Sequence, residues 1–179
     1  MATELDVLAI VSDRLERQGL AFMLTGSFAL AYYATPRMTR DLDIVVALQA
    51  VDIDRLVESF SADFYVDADI ARHAVQAETL FNLLHLESGI KVDLIVRKSS
   101  EYRQGEFQRR APVQGAGVRA WVVSREDLII SKLVWARESG SELQLRDVRA
   151  LLMKPVDGAY LQSWAKSMGV RADLEAAAR

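Results

Sequence analysis

The sequence predicts an α/β (α+β) fold: a mixed, twisted sheet with flanking helices and a small C-terminal helical bundle. Three observations carry this. Short apolar, β-branched runs alternate with helical patterns up to about residue 123. Two of those runs, residues 79–87 and 90–96, are separated by Ser88-Gly89, a two-residue hairpin signal, so the sheet is not purely parallel. After residue 123 only helical patterns follow. The chain therefore divides into an α/β core over 1–123 and a helical subdomain over 124–179.

The elements follow in order. Residues 5–18 place apolar side chains at helical spacing, and Gly19 stops the helix. Residues 20–24 (LAFML) form a short buried strand, broken by Thr25-Gly26-Ser27. Residues 28–34 read as a helix that Pro36 forbids to continue. Residues 42–48 (LDIVVAL) are strand-like. Residues 52–61 read as a helix and 64–66 as a short strand. Residues 101–109 form a weak helix or a loop, and 118–123 (VRAWVV) a further strand. Ser124-Arg-Glu-Asp opens a helix with an acidic first turn. Helices are expected over 125–137, 141–153, 157–168 and 171–178.

Composition narrows the function. Of 179 residues, 51% are hydrophobic and 26% charged, which excludes a disordered chain. The absence of Cys excludes disulfides, thiolate zinc sites and Cys nucleophiles. A net charge of −3 argues against binding nucleic acid through bulk charge. No apolar run approaches ~18 residues, so no membrane span is expected. Met1-Ala-Thr-Glu lacks the basic start and apolar stretch of a signal peptide, and the expected compartment is the cytoplasm. The charge is uneven. Residues 1–90 hold 6 Lys+Arg and 14 Asp+Glu (−8), leaving 16 and 11 (+5) for residues 91–179. This polarity suits a site that joins metal to a polyanion; it is also what two solvated faces would show.

Asp-x-Asp occurs three times. Asp52/Asp54 and Asp67/Asp69 stand before helices, where capping accounts for them. Asp41/Asp43 stands instead at the mouth of an apolar strand. Residues i and i+2 of a strand share a face, and two carboxylates on one face are costly unless a cation joins them. Asp93 lies in a similar setting, within IKVDLIV. Beside Asp41 and Asp43 it would complete an all-oxygen set suited to Mg²⁺ or Mn²⁺. An ion pair of Asp93 with Lys91 or Arg97, or a solvated sheet edge, is the alternative. Gly26-Ser27, between a strand and a helix, offers backbone N–H groups to an anion, although Ser is also an ordinary cap. Thirteen residues separate Ser27 from Asp41, enough for a short helix and a return, so turn and acids are expected at one end of the sheet.

These three motifs, in this order and spacing, resemble the nucleotidyltransferase superfamily related to DNA polymerase β. The stretch GSFALAYYATPRMTRDLDIVV is similar to AbiEii/AbiGii toxin-type nucleotidyltransferases, with Arg37, Thr39, Asp41 and Asp43 matching their Arg-x-Thr-x-Asp-hydrophobic-Asp run. The resemblance covers residues 20–137. It implies the nucleotidyltransferase fold and a triphosphate held by Gly26 and Ser27. It also implies two Mg²⁺ on Asp41, Asp43 and Asp93, with in-line displacement at the α-phosphorus releasing pyrophosphate. Asp93 would be the general base or its metal-mediated equivalent.

Cations complete the expected site. Arg37 and Arg40 would meet phosphate or neutralise Asp41. Lys132, expected near the margin of its helix's buried stripe, resembles the family's helical Lys on the triphosphate tail; a snorkelling surface Lys is the alternative. Asp127 would orient Lys132 or complement the helix dipole. Arg146-Asp147 resembles a charged pair found late in the family. Lys98, Arg103, Arg109 and Arg110 would meet an RNA acceptor or form a solvated loop. His73 and His85 have no metal-site spacing, and His85 is expected to pack in its strand. By resemblance, the partners are an NTP, a tRNA or protein acceptor, and a separately encoded antitoxin. Two further functions fit the motifs: a small-molecule, antibiotic-type adenylyltransferase, and a non-catalytic nucleotide-binding or antitoxin module.

Overall fold

The computed structural model describes residues 2–35, 41–115 and 117–179. The first helix, α1 (Glu4–Arg17), begins at Thr3, whose hydroxyl accepts from the Asp6 amide while the Asp6 carboxylate accepts from the Thr3 amide. Val7, Leu8, Val11 and Leu15 form its buried stripe. The next elements are β1 (Phe22–Leu24), α2 (Gly26–Tyr33) and β2 (Asp41–Val46). A 3-10 turn at Ala50–Asp52 leads into α3 (Ile53–Phe60), then β3 (Phe64–Tyr65) and α4 (Ala68–Ala77). Asp67 caps α4 by accepting from the amides of Asp69 and Ile70, the capping role expected of that pair. Then come β4 (Leu80–His85), β5 (Lys91–Val96), α5 (Glu101–Gln108), β6 (Ala111–Gly115) and β7 (Val118–Val122). Four helices close the chain: α6 (Arg125–Ser139), α7 (Glu142–Leu152), α8 (Gly158–Ser167) and α9 (Arg171–Ala177).

The seven strands form one mixed sheet in the order β3-β4-β5-β2-β1-β7-β6. The β2–β5 and β1–β7 pairs are parallel; the others are antiparallel. Alternation decides which residues face which core. Leu42, Ile44 and Val46 of β2, with Val92, Leu94 and Val96 of β5, point into a core shared with α1, α3 and α4. A second core lies across the sheet. It joins Met23, Leu30, Val122 and Val123 to Leu133, Val148, Leu161 and Leu174, so α6–α9 pack on one another and on β1, β7 and α2. The β3–β4 end of that second face stays open, with Tyr65, Leu80 and Leu84 exposed.

Three details differ from the sequence expectation. Strand β6 went unread because Pro112 and two glycines nearby suppress the strand signal. It is an edge strand, where a residue without an N–H is tolerated. The β4–β5 hairpin has a four-residue loop rather than two. His85 and Ile90 close it, and the Leu86 amide turns away to donate to the Asp63 carbonyl beside β3. Helix α2 begins at Gly26, so Gly26 and Ser27 lie inside its first turn.

The shared second core leads to an expected outcome. Leu133→Ala should lower stability by about 2–5 kcal/mol. It should also shift one cooperative unfolding transition, followed by circular dichroism and tryptophan fluorescence in urea. Two separate transitions would show that α6–α9 unfold alone.

Candidate active site

Register builds the site. The parallel β2–β5 pair sets Asp43 opposite Asp93 and Asp41 opposite Lys91, so all four side chains share the face away from the α1 core. Asp41 is the outermost, with 54% of its side chain exposed, against 16% for Asp93. The Lys91 Nζ lies 3.2 Å from Asp93 and 3.6 Å from Asp41. From β4, the Asn82 Nδ2 donates to Asp93 at 2.5 Å. Of the two ion-pair partners considered for Asp93, Lys91 takes the role, while the Arg97 guanidinium lies over the Phe107 ring.

Burial, reinforced by the charges of Asp93 and Asp41, pushes the Asp43 carboxyl up to about 6; Lys132 and Lys91 oppose the shift. Gly26 explains how the turn reaches this carboxylate. Its φ is +61°, and a Cβ there would stand 2.0 Å from Asp43 Oδ2. The Thr25 amide donates to the Asp43 carbonyl at 2.9 Å. Gly26 thus lies directly on Asp43, with Ser27 buried beside it in the first turn of α2. Arg37, Thr39 and Arg40 lie outside the described residues.

Lys132 is not at the helix margin. It is 2% exposed, and its Nζ donates to Asp147 at 2.7 Å and to Gln144 at 3.0 Å, both on α7. Asp127 is buried on the same helix as Leu128, Ile129 and Leu133, so the apolar stripe of α6 did not mark the boundary. Asp127 does not orient it. Fully buried, Asp127 accepts from Arg109, Ser124 and Tyr160. Asp147 is the orienting acid, and its only sequence signal was the Arg146-Asp147 pair. Gln144, Asn82 and Glu106 were missed because a single polar residue in a helix or strand has no distinctive pattern.

The three arginines of the basic segment are engaged within the chain, while Lys98 is exposed at the cleft. Arg103 donates to Glu106 and Ser131, Arg109 pairs with Asp127, and the Arg110 guanidinium lies over Phe107 and Trp121. Burial raises the Glu106 carboxyl despite the pairing with Arg103. A cleft runs from Gly26 and Asp43 past Lys132 toward Arg97, Lys98 and Trp135. His85 packs as expected, its Nδ1 at 2.8 Å from the Ser88 hydroxyl.

Three carboxylates on two adjacent strands give oxygen donors only, the chemistry of a hard divalent cation. Gly26 lets the turn close on the Asp43 carboxylate, which fills the space where any other residue would place a Cβ. Among the described residues no three metal-ligating side chains converge on one point. Lys91 stands between two of the acids.

No family model and no curated protein matches the chain. Solved structures do. An antigenic nucleotidyltransferase-like protein from Paracoccidioides brasiliensis superposes with a TM-score of 0.60 at 17% identity, covering 96% of this chain and 90% of that one. ANT(2″)-Ia in complex with adenylyl-2″-tobramycin gives 0.61 at 14%, covering 93% and 96%. The lincosamide antibiotic adenylyltransferase LnuA, lincomycin-bound, gives 0.53 at 14%, covering 84% and 96%. The fold is that of the nucleotidyltransferases. In this nucleotidyltransferase fold the acids lie between α6 and the open β3–β4 end of the sheet. No helix among the described residues is long and apolar enough to cross a membrane.

Two outcomes test this electrostatic arrangement. Asp147→Ala strands the Lys132 ammonium in the interior and should cost about 3–5 kcal/mol in urea unfolding, most of it recovered in Lys132→Met/Asp147→Leu. Asp43 gives a pH signature. With its folded pKa raised to about 6 from 3.8, the native state holds a proton that the unfolded chain releases between those values. Stability therefore falls as pH rises through that window. In EDTA, Asp43→Asn should exceed wild type at pH 7 by on the order of 1–2 kcal/mol and lose that advantage near pH 4.

Proposed function

We propose that this protein is a metal-dependent nucleotidyltransferase that moves a nucleotidyl group from an NTP to an acceptor hydroxyl. The observation that carries the reading is Asp43 set opposite Asp93 in register, with the Gly26 backbone against the Asp43 carboxylate. The donor set fits Mg²⁺ or Mn²⁺, which Asp41, Asp43 and Asp93 would hold. When bound, such an ion screens the triphosphate oxygens and lowers the pKa of an acceptor hydroxyl.

The chain's own groups have separable tasks. The first turn of α2 presents the backbone N–H of Gly26 and Ser27 to the triphosphate. Lys132, held by Asp147 and Gln144, adds a fixed positive charge beside Asp43. Arg37 and Arg40 are further phosphate partners in this reading. The acceptor oxygen bonds to the α-phosphorus, the bond from that phosphorus to the α,β-bridging oxygen breaks, and pyrophosphate leaves. The acceptor proton passes to the Asp93 carboxylate, whose orientation Asn82 and Lys91 hold. Asp43 must be ionised to hold the ion, and a bound cation favours that charged form.

Two acceptor classes fit. A small hydroxyl-bearing molecule is favoured because Arg103, Arg109 and Arg110 are each engaged within the chain by an acid or an aromatic ring. The antibiotic adenylyltransferases of this fold support the same class. The likeness of residues 26–46 to the AbiEii/AbiGii toxin-type enzymes supports the second class, a tRNA or protein acceptor with an antitoxin partner. An NTP donor agrees with a cytoplasmic setting.

The test is incubation with Mg²⁺, each α-³²P-labelled NTP, and either total tRNA or aminoglycosides and lincosamides. Label should enter one acceptor pool, and Asp43→Asn should lower transfer by at least about 100-fold. Saturable nucleotide binding with no transfer to any acceptor would favour a regulatory nucleotide-binding module.

A further inference from the structure

One lysine of the described residues sits directly on the acids. Lys91 lies two residues before Asp93 on β5 and directly opposite Asp41 on β2. Its side chain is therefore confined to the face of the three acids, and its Nζ bridges Asp93 at 3.2 Å and Asp41 at 3.6 Å. Asn82 holds the other side of the Asp93 carboxylate. Asp43, set against Gly26, is the acid that the ammonium does not bridge at these distances.

The charges then count differently from those of a bare acid triad. Three ionised carboxylates carry −3, and the bridging ammonium brings the group to −2, the charge that one divalent ion balances. A second divalent ion between Asp41 and Asp93 would meet a like charge a few ångströms away, well inside the distance over which ordinary salt screens charge.

We propose that Lys91 is a tethered cation that takes the place of one of two divalent ions, so that the site formed by the three acids binds a single ion. This rests on the metal-dependent reading of the same acids. The ammonium screens Asp41 from Asp93 and keeps the Asp93 carboxylate oriented. Removing it opens the second position.

The experiment counts ions without turnover. Mn²⁺ is titrated into the full chain while free Mn²⁺ is followed by electron paramagnetic resonance. Wild type should bind one Mn²⁺ per chain. Lys91→Met, which keeps the aliphatic stem at a partly exposed position, should bind a second ion at least about ten-fold more tightly than wild type does. Lys91→Gln should match it, and Lys91→Arg, which keeps the charge, should stay at one. Two ions of similar affinity in wild type, or one ion in all variants, would overturn the tethered-cation inference and leave the metal-dependent reading intact. No Mn²⁺ bound by wild type, Lys91→Met or Lys91→Gln would overturn the metal-dependent reading itself.

Discussion

A parallel strand pair holds Asp43 and Asp93 face to face, and much of the site offsets the cost of keeping them there. Backbone hydrogen bonds and the apolar residues alternating with the acids, Leu42, Ile44, Val92 and Leu94, fix the strands in this register. Slipping by one residue would turn the acids into the core and the leucines into the cleft. The two carboxylates cannot separate while the core stays packed. The rest of the neighbourhood supplies compensation: a backbone turn with no side chain, an ammonium between Asp41 and Asp93, an amide donor from β4, and a buried lysine across the cleft.

Helix α6 is the second organising element. Its polar residues are held from several sides: Asp127 by Arg109 and by Tyr160 of α8, Ser131 by Arg103 and Glu106 of α5, and Lys132 by Asp147 and Gln144 of α7. The two buried charges of α6, Asp127 and Lys132, have their charged partners on other parts of the chain. Such pairs add little net stability over apolar packing, but leaving one half unpaired is costly, so they favour one arrangement of the helices over others. That accounts for a basic sequence segment whose arginines are tied to the rest of the fold while Lys98 stays exposed. The arginines read from the sequence as an anion-binding run are committed to Glu106, Asp127 and aromatic rings.

Most of the fold was legible because it rests on periodicity. The alternating burial of β2 and β5 and the stripe of α1 follow from apolar spacing alone. The acid pair stood out because carboxylates are out of place in an apolar strand, and its nearness to Gly26 followed from chain length. What escaped depended on tertiary context. The edge position that tolerates Pro112 in β6 is a property of the sheet. The burial of Lys132 depends on Asp147 and Gln144, on a separate helix, and no local pattern connects them. The loop after β4 is four residues long because Leu86 bonds to Asp63, a partner more than twenty positions earlier.

The Lys132–Asp147 pair has a consequence for the order of events during synthesis. The ribosome releases the chain from its N-terminus, so the acids on β2 and β5 and the turn at Gly26 emerge while α7 has yet to be made. At that stage Lys132 has neither Asp147 nor Gln144, and its ammonium stays hydrated. Lys132 gains these two partners only when residues 142–152 arrive. A nascent chain can thus hold its sheet before it holds a complete pocket, and the last third of the polypeptide sets when the site first becomes competent.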